Sequence, residues 1–267
     1  MFYGAKNLTL KTKDFEMDYI TFGRGTKSLV MIPGLGFTGV KGSAILMAVM
    51  YRRFAKEYKV YFFDRKADIP KGYSIEEIAH DTACAMKELG LQGSYVVGVS
   101  QGGMIAQRIA EEFPELVAKL VLCVTLARQN DTVNKVINNW IELVKRRDFK
   151  AVSIDTIDKI YSDAHARKSR WAAPLFSKII SREDPERFII LAKSCLNFDG
   201  YDDLDKIKCP VLVLGGKEDK IVTGEASCEI ADKLGCKIYM YDGQSHSLHE
   251  ERKKDFDNRI YEFFKEK

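Results

Sequence analysis

Short runs rich in β-branched and aromatic residues alternate along this chain of 267 residues with longer stretches of helical periodicity, and few folds accommodate that alternation. The runs lie at Ser28–Ile32, Lys59–Phe63, Ser94–Val99, Val117–Thr125, Val211–Leu214 and Lys237–Tyr241. Several are apolar at nearly every position. A strand of that kind is buried on both faces, and strands joined through helices pair in parallel, so the pattern predicts βαβ units around a mostly parallel sheet. Ahead of them, Leu8–Lys11 and Glu16–Phe22 flank a polar Thr12-Lys13-Asp14 turn and read as an antiparallel hairpin on the sheet edge. With 46% hydrophobic and 30% charged residues, the chain has the composition of an ordinary globular protein that can bury a large core.

The same patterning marks one clear helix and one long interruption. Ser74 and Glu77 form an S-x-x-E capping box. Ile75, Ile78, Ala79, Ala83 and Met86 then share a face, and Gly90 stands where a helix C-terminal glycine belongs. From residue 128 to residue 203 the alternation stops: helical patterns continue, with Trp140, Trp171, Pro174 and Pro185, but no strand is evident. This reads as a helical insertion dividing an α/β core into residues 1–127 and 204–267. Within it, residues 140–178 carry nine Lys or Arg against five Asp or Glu, as large an excess as the net charge of +4 of the whole chain. Such a charge is too small and too dispersed for a nucleic-acid-binding stripe.

Other classes are excluded or disfavoured by simple counts. The apolar run Ala44 to Met50 is far shorter than the ~18 residues of a membrane crossing, so no membrane span is expected. The N-terminal residues lack the regions of a signal peptide, which makes the cytoplasm the default location. Six cysteines, with no C-x-x-C pair and no histidine at ligand spacing, read as reduced packing residues; no metal and no cofactor are expected.

The chemistry concentrates at Gly98-Val99-Ser100-Gln101-Gly102. Tyr95-Val96-Val97 leads in as a strand, and Met104, Ile105, Ile109 and Ala110 continue as a helix ended by Pro114. A G-x-S-x-G between strand and helix is the setting of a nucleophile elbow, in which the serine sits on a cramped turn with its hydroxyl exposed and the glycines remove colliding side chains. Ser100 is therefore the candidate nucleophile. A serine hydroxyl attacks well only when an imidazole takes its proton, and the imidazole in turn needs a carboxylate to set its tautomer.

With this motif the chain resembles, over essentially its full length, the α/β-hydrolase fold superfamily, and within it the capped branch of small esterases, lactonases and carbon–carbon bond hydrolases. The resemblance implies a mostly parallel eight-stranded sheet flanked by helices, with a helical cap inserted after strand 6. It also implies the chain order nucleophile, acid, histidine. His246, in Asp242-Gly243-Gln244-Ser245-His246, lies just past the last strand and matches the family's His-x-x-x-Glu pattern, whereas His249 reads as a polar residue at a helix start. Asp219, in Gly215-Gly216-Lys217-Glu218-Asp219-Lys220-Ile221-Val222, matches the family's acid-bearing loop; Glu218 and Asp131 are its rivals. The oxyanion donors implied are the backbone N–H groups of Gln101 and Leu35. Relatives usually carry His-Gly where this chain has Pro33-Gly34, and a D-x-R-G-x-G-x-S loop where it has Asp64-Arg65-Lys66-Ala67-Asp68-Ile69-Pro70.

The expected activity is a cofactor-free serine hydrolase that opens a small carboxylic ester, lactone or thioester through an acyl-enzyme. Carbon–carbon bond hydrolysis, haloperoxidase or aminopeptidase chemistry on the same triad, and a non-catalytic ligand-binding protein on this fold, are the alternatives. Trp140 and Trp171 are the candidate substrate contacts, with Tyr161, Phe176 and Phe188 also available to an apolar acyl group.

Overall fold

A computed structural model describes residues 2–266. Eight strands form one sheet: β1 (Lys6–Lys11), β2 (Glu16–Phe22), β3 (Lys27–Ile32), β4 (Tyr58–Lys66), β5 (Ser94–Val99), β6 (Val117–Cys123), β7 (Val211–Gly216) and β8 (Lys237–Tyr241). Their spatial order is β1-β2-β4-β3-β5-β6-β7-β8; β2 runs antiparallel to both its neighbours and every other pair is parallel. The hairpin expected at the sheet edge is there, with Thr12 Oγ1 accepting from Asp14 N and Phe15 N in the turn.

Successive residues of the central strands serve opposite cores, as the pleat requires. In β3, Val30 and Ile32 face one core while Leu29 and Met31 face the other; β6 divides Leu120 and Leu122 from Val121 and Cys123 in the same way. The helices α1 (Ala44–Met50), α2 (Ile75–Glu88), α3 (Gln101–Glu112), α9 (Gly224–Leu234) and α11 (Lys253–Lys265) cover the two faces, and α10 (Leu248–Glu251) is a single turn before the last of them. Residues 124–210 hold α4 (Asp131–Lys145), α5 (Phe149–Ile160), α6 (Asp163–Ser169), α7 (Ala173–Ile180) and α8 (Pro185–Leu196), and no strand.

α2 shows how closely local chemistry sets an element. Glu77 N donates to Ser74 Oγ and Ser74 N donates to Glu77 Oε2, so both halves of the capping box are made. At the other end Gly90 takes φ +68°, Gly90 N donates to Lys87 O, and Leu91 N donates to Met86 O, which is a Schellman closure. β4 departs from expectation. It continues three residues beyond Phe63, so Asp64, Arg65 and Lys66 are strand residues rather than part of a loop.

Candidate active site

Ser100, Pro33, Asp64, Asp219 and His246 all stand at or just beyond the carboxyl ends of parallel strands, the edge where open α/β sheets bind ligands. Ser100 takes φ +54° and ψ −121° between β5 and α3, a conformation that costs a side-chain-bearing residue about 1–3 kcal/mol and persists only when its surroundings enforce it. Here Ser100 N donates to Cys123 O at 2.9 Å, and Ser100 O accepts from Gly103 N and from Thr125 Oγ1. Gly102 has no latitude: a Cβ there would lie 2.0 Å from Ile32 O.

Asp219 and His246 are brought together across 27 residues, with Asp219 Oδ2 2.8 Å from His246 Nδ1. The other carboxylate oxygen accepts from Ile221 N at 2.8 Å and Val222 N at 3.1 Å, and only 1% of the Asp219 side chain is exposed. The carboxylate thus arrives already oriented, with one oxygen turned to Nδ1 of the imidazole. Of the two rivals, Glu218 is exposed, and Asp131 opens α4 eight residues beyond the end of β6; neither forms a hydrogen bond or ion pair with the imidazole. Among the described residues no hydrogen bond joins Ser100 Oγ to His246, although both border one cavity. Such contacts are commonly loose in an unliganded site and tighten around substrate.

That cavity has a volume of about 660 Å³, in the range of small-molecule sites. It wraps the sheet edge. Met31, Phe62 and Val97 reach it from one core, and Met104, Trp140 and Leu191 from the other. Leu35 also lines it, and Gly34 stands so close to the elbow that a Cβ would lie 3.2 Å from Ser100 Cβ. Neither Leu35 N nor Gln101 N donates a hydrogen bond among the described residues, so two residues that line the cavity carry unpaired amides.

The two candidate tryptophans part company. Trp140 lines the cavity and is held by its indole N–H, which donates to Asp155 Oδ2 at 2.6 Å. Trp171 does not line it, which corrects the expectation: it is 79% exposed. Its turn, Arg170–Ala172, leads into α7, whose inner positions are Ala173, Phe176 and Ile180, so helical spacing puts residue 171 on the outer face. Phe176 and Phe188 do reach the cavity, sandwiching Phe37 edge-on and face-on, while Tyr161 points to Glu250, its hydroxyl donating to the carboxylate. His249, read as a polar residue at a helix start, lines the cavity as well, and burial holds its imidazole below the ordinary histidine range.

Two residues without an assigned role in the sequence, Arg65 and Asp64, tie the loop of residues 33–40 in place. Arg65 Nη2 donates to Pro33 O at 2.7 Å and to Gln101 Oε1 at 2.9 Å. Asp64 Oδ2 accepts from Val40 N at the far end of the same loop. Gln101 Nε2 in turn donates to Leu191 O and Ser194 Oγ of α8, and Arg187 of α8 donates to the carbonyls of Arg65, Lys66 and Ala67. The Gln101 side chain therefore links the turn at Ser100, through Arg65, to the loop and to the helical segment. Asp64 and Arg65 open the segment that stands where relatives carry D-x-R-G-x-G-x-S; Arg187 had no signal beyond a charge on a helix.

Comparison with known proteins agrees with this architecture. Residues 55–253 match the family model described as alpha/beta hydrolase fold, about three quarters of the chain. The chain belongs to the α/β-hydrolase family. It is 23% identical over 250 residues to a Rhizobium rhizogenes protein named as a carbamate hydrolase, RutD, covering 90% of this chain and 93% of that one. It is also 23% identical over 235 residues to 3-oxoadipate enol-lactonase 2 of Acinetobacter baylyi, covering 83% and 84%. Among solved structures, an α/β hydrolase from a Medee basin deep-sea metagenome library superposes with a TM-score of 0.85 at 20% identity, over 97% of this chain and 98% of that one. The enol-lactonase of Burkholderia xenovorans does so with a TM-score of 0.84 at 18% identity, over 97% and 100%. This α/β hydrolase has no helix among its described residues long and apolar enough to cross a membrane, and no three His, Cys, Asp or Glu side chains grouped to hold a metal.

Proposed function

We propose that this α/β hydrolase is a serine hydrolase that opens a small carboxylic ester, lactone or thioester through an acyl-enzyme. The observation that carries the reading is a buried Asp219–His246 pair, 2.8 Å apart, sharing one cavity with a serine held at φ +54°. In this mechanism Ser100 Oγ attacks the carbonyl carbon as His246 Nε2 takes its proton. The oxyanion that forms accepts from the N–H groups of Leu35 and Gln101. Collapse expels the leaving group, to which His246 returns the proton, and a water activated by the same imidazole then hydrolyses the acyl-enzyme. Every step closes on the chain's own groups.

The helices of residues 128–203 form a cap over this site, dividing the core into residues 1–127 and 204–267. Two anchors support that reading. α8 grips Gln101 and β4 on one side, and on the other Ser247 N donates to Ile160 O while Glu251 accepts from Ser162 N. The apolar lining suits an apolar acyl group, with Trp140 and Phe188 as contacts. Six cysteines, none in a disulfide, fit a reducing compartment such as the cytoplasm.

A fluorophosphonate probe should label the native protein and leave Ser100→Ala unlabelled, and p-nitrophenyl esters should give a burst of phenolate that requires Ser100. Labelling that survives Ser100→Ala, or native protein that neither labels nor turns over any ester or lactone, removes the reading in favour of a ligand-binding protein on this fold.

A further inference from the structure

Among the described residues eight large apolar side chains are exposed, and six of them sit on two short elements that border the same cavity. Ile45, Leu46 and Val49 are 54%, 58% and 42% exposed on α1; Trp171, Leu175 and Ile179 are 79%, 59% and 44% exposed on α7 and the turn before it. Leu46 is both solvent-exposed and part of the cavity lining, so α1 reaches the mouth. On α7 the half-buried Phe176 lines the cavity between two of the exposed residues. Positions 171, 175 and 179 follow a four-residue spacing and so form a single outer stripe.

Charge marks the same two segments. Residues 41–56 contain Lys41, Arg52, Arg53 and Lys56, and residues 167–182 contain Arg167, Lys168, Arg170, Lys178 and Arg182; neither segment contains an Asp or a Glu. Lys41 pairs with Asp18, Arg170 with Asp158, and Arg53 lies over the Tyr261 ring. The other six are exposed and have no salt-bridge partner among the described residues. Exposed Trp, Leu and Ile on short helices flanked by Lys and Arg without salt-bridge partners are the features of elements that lie in the plane of a lipid interface.

We propose that α1 and α7, with the cavity mouth they border, form a docking face for a bilayer surface rich in anionic lipid. The apolar stripe enters the boundary between headgroups and acyl chains, and the cations meet the headgroup phosphates and carboxylates. A second copy of the chain is the poorer occupant. A two-fold contact would set these cation-rich segments against each other, like charge against like. A lipid surface supplies the countercharge and an apolar phase together. The docking does not depend on the catalytic reading, and the two can fail separately.

The test is flotation with vesicles of phosphatidylcholine alone and of three parts phosphatidylcholine to one part phosphatidylserine, using native protein and the Ser100→Ala variant. Both proteins should float with the mixed vesicles, remain behind with phosphatidylcholine, and be released by high salt. Brominated acyl chains should quench a tryptophan signal that is missing in Trp171→Ser. The combined Lys178→Gln, Arg182→Gln variant should bind the mixed vesicles roughly thirtyfold more weakly. Trp171→Ser, Leu175→Ser, Ile179→Ser should lose binding while keeping the native circular dichroism, since all three side chains are exposed. No flotation with either vesicle, equal flotation with both, unchanged binding in the triple serine variant, or sedimentation as a dimer that shields Trp171 would each overturn the proposal.

Discussion

At the scale of single residues, the side chains of Asp219 and Gln101 are each held by several hydrogen bonds. Asp219 accepts from two backbone amides and the imidazole at once, so Asp219→Asn should preserve the position of the side chain while presenting the wrong partner to His246 Nδ1. The expected outcome is a fall in kcat of about 10⁴ with little change in stability, measured by ester hydrolysis and thermal melting. Gln101 is a different case. Its backbone N–H is a proposed oxyanion donor, and its side chain joins Arg65, which holds Pro33 O, to α8. Gln101→Leu keeps the amide but strips a partner from a buried guanidinium. That should cost about 1–3 kcal/mol in urea unfolding and lower kcat more than it raises KM, because the loop carrying Leu35 N loses its brace. An unchanged kcat would assign the side chain to folding alone.

Elements were legible where their instructions are local. The two ends of α2 are written in Ser74, Glu77 and Gly90, and each makes the bonds that its residue type implies. Ser74→Ala should therefore destabilise the protein by about 1 kcal/mol, lowering Tm by roughly 2–4 °C without changing kcat. The hairpin and the central strands were readable for a similar reason: alternation in the one and unbroken apolar runs of four to six residues in the others survive whatever packs on them. The end of β4 was not. Asp64 and Arg65 are polar and read as loop residues, and they stay in the strand because tertiary partners receive them: Val40 N for one, Pro33 O and Gln101 for the other. The placement of Trp171 was not legible either, because a tryptophan in a helical segment points equally well to a core, a pocket or a partner until the neighbouring helices are placed.

For the molecule as a whole, buried charge adds a pH dependence to stability. Arg108 of α3 is shared by Glu76, Glu111 and Asp203, and Glu111 Oε1 is buried with no hydrogen-bond partner. Burial pushes the Glu111 carboxyl from 4.5 up to about 7, against the pull of Arg108. The folded chain then holds a proton that the unfolded chain has released between those values, so stability falls as pH rises through that window; below it both states are protonated. Glu111→Gln removes this titration, and its Tm should gain on that of the native protein as pH increases from about 5 to about 8. Parallel Tm curves would show that Arg108 keeps Glu111 ionised throughout. The sequence by itself determined the parallel sheet, the helical segment within it and the elbow at Ser100, because hydrophobic period and turn chemistry act over a few residues. It also proposed Asp219 and His246, through family order rather than geometry. Only the tertiary structure decided what reaches the cavity. The bracing of Pro33 by Arg65, the inward turn of His249 and the outward turn of Trp171 depend on which surfaces meet across dozens of residues, and no local pattern encodes that.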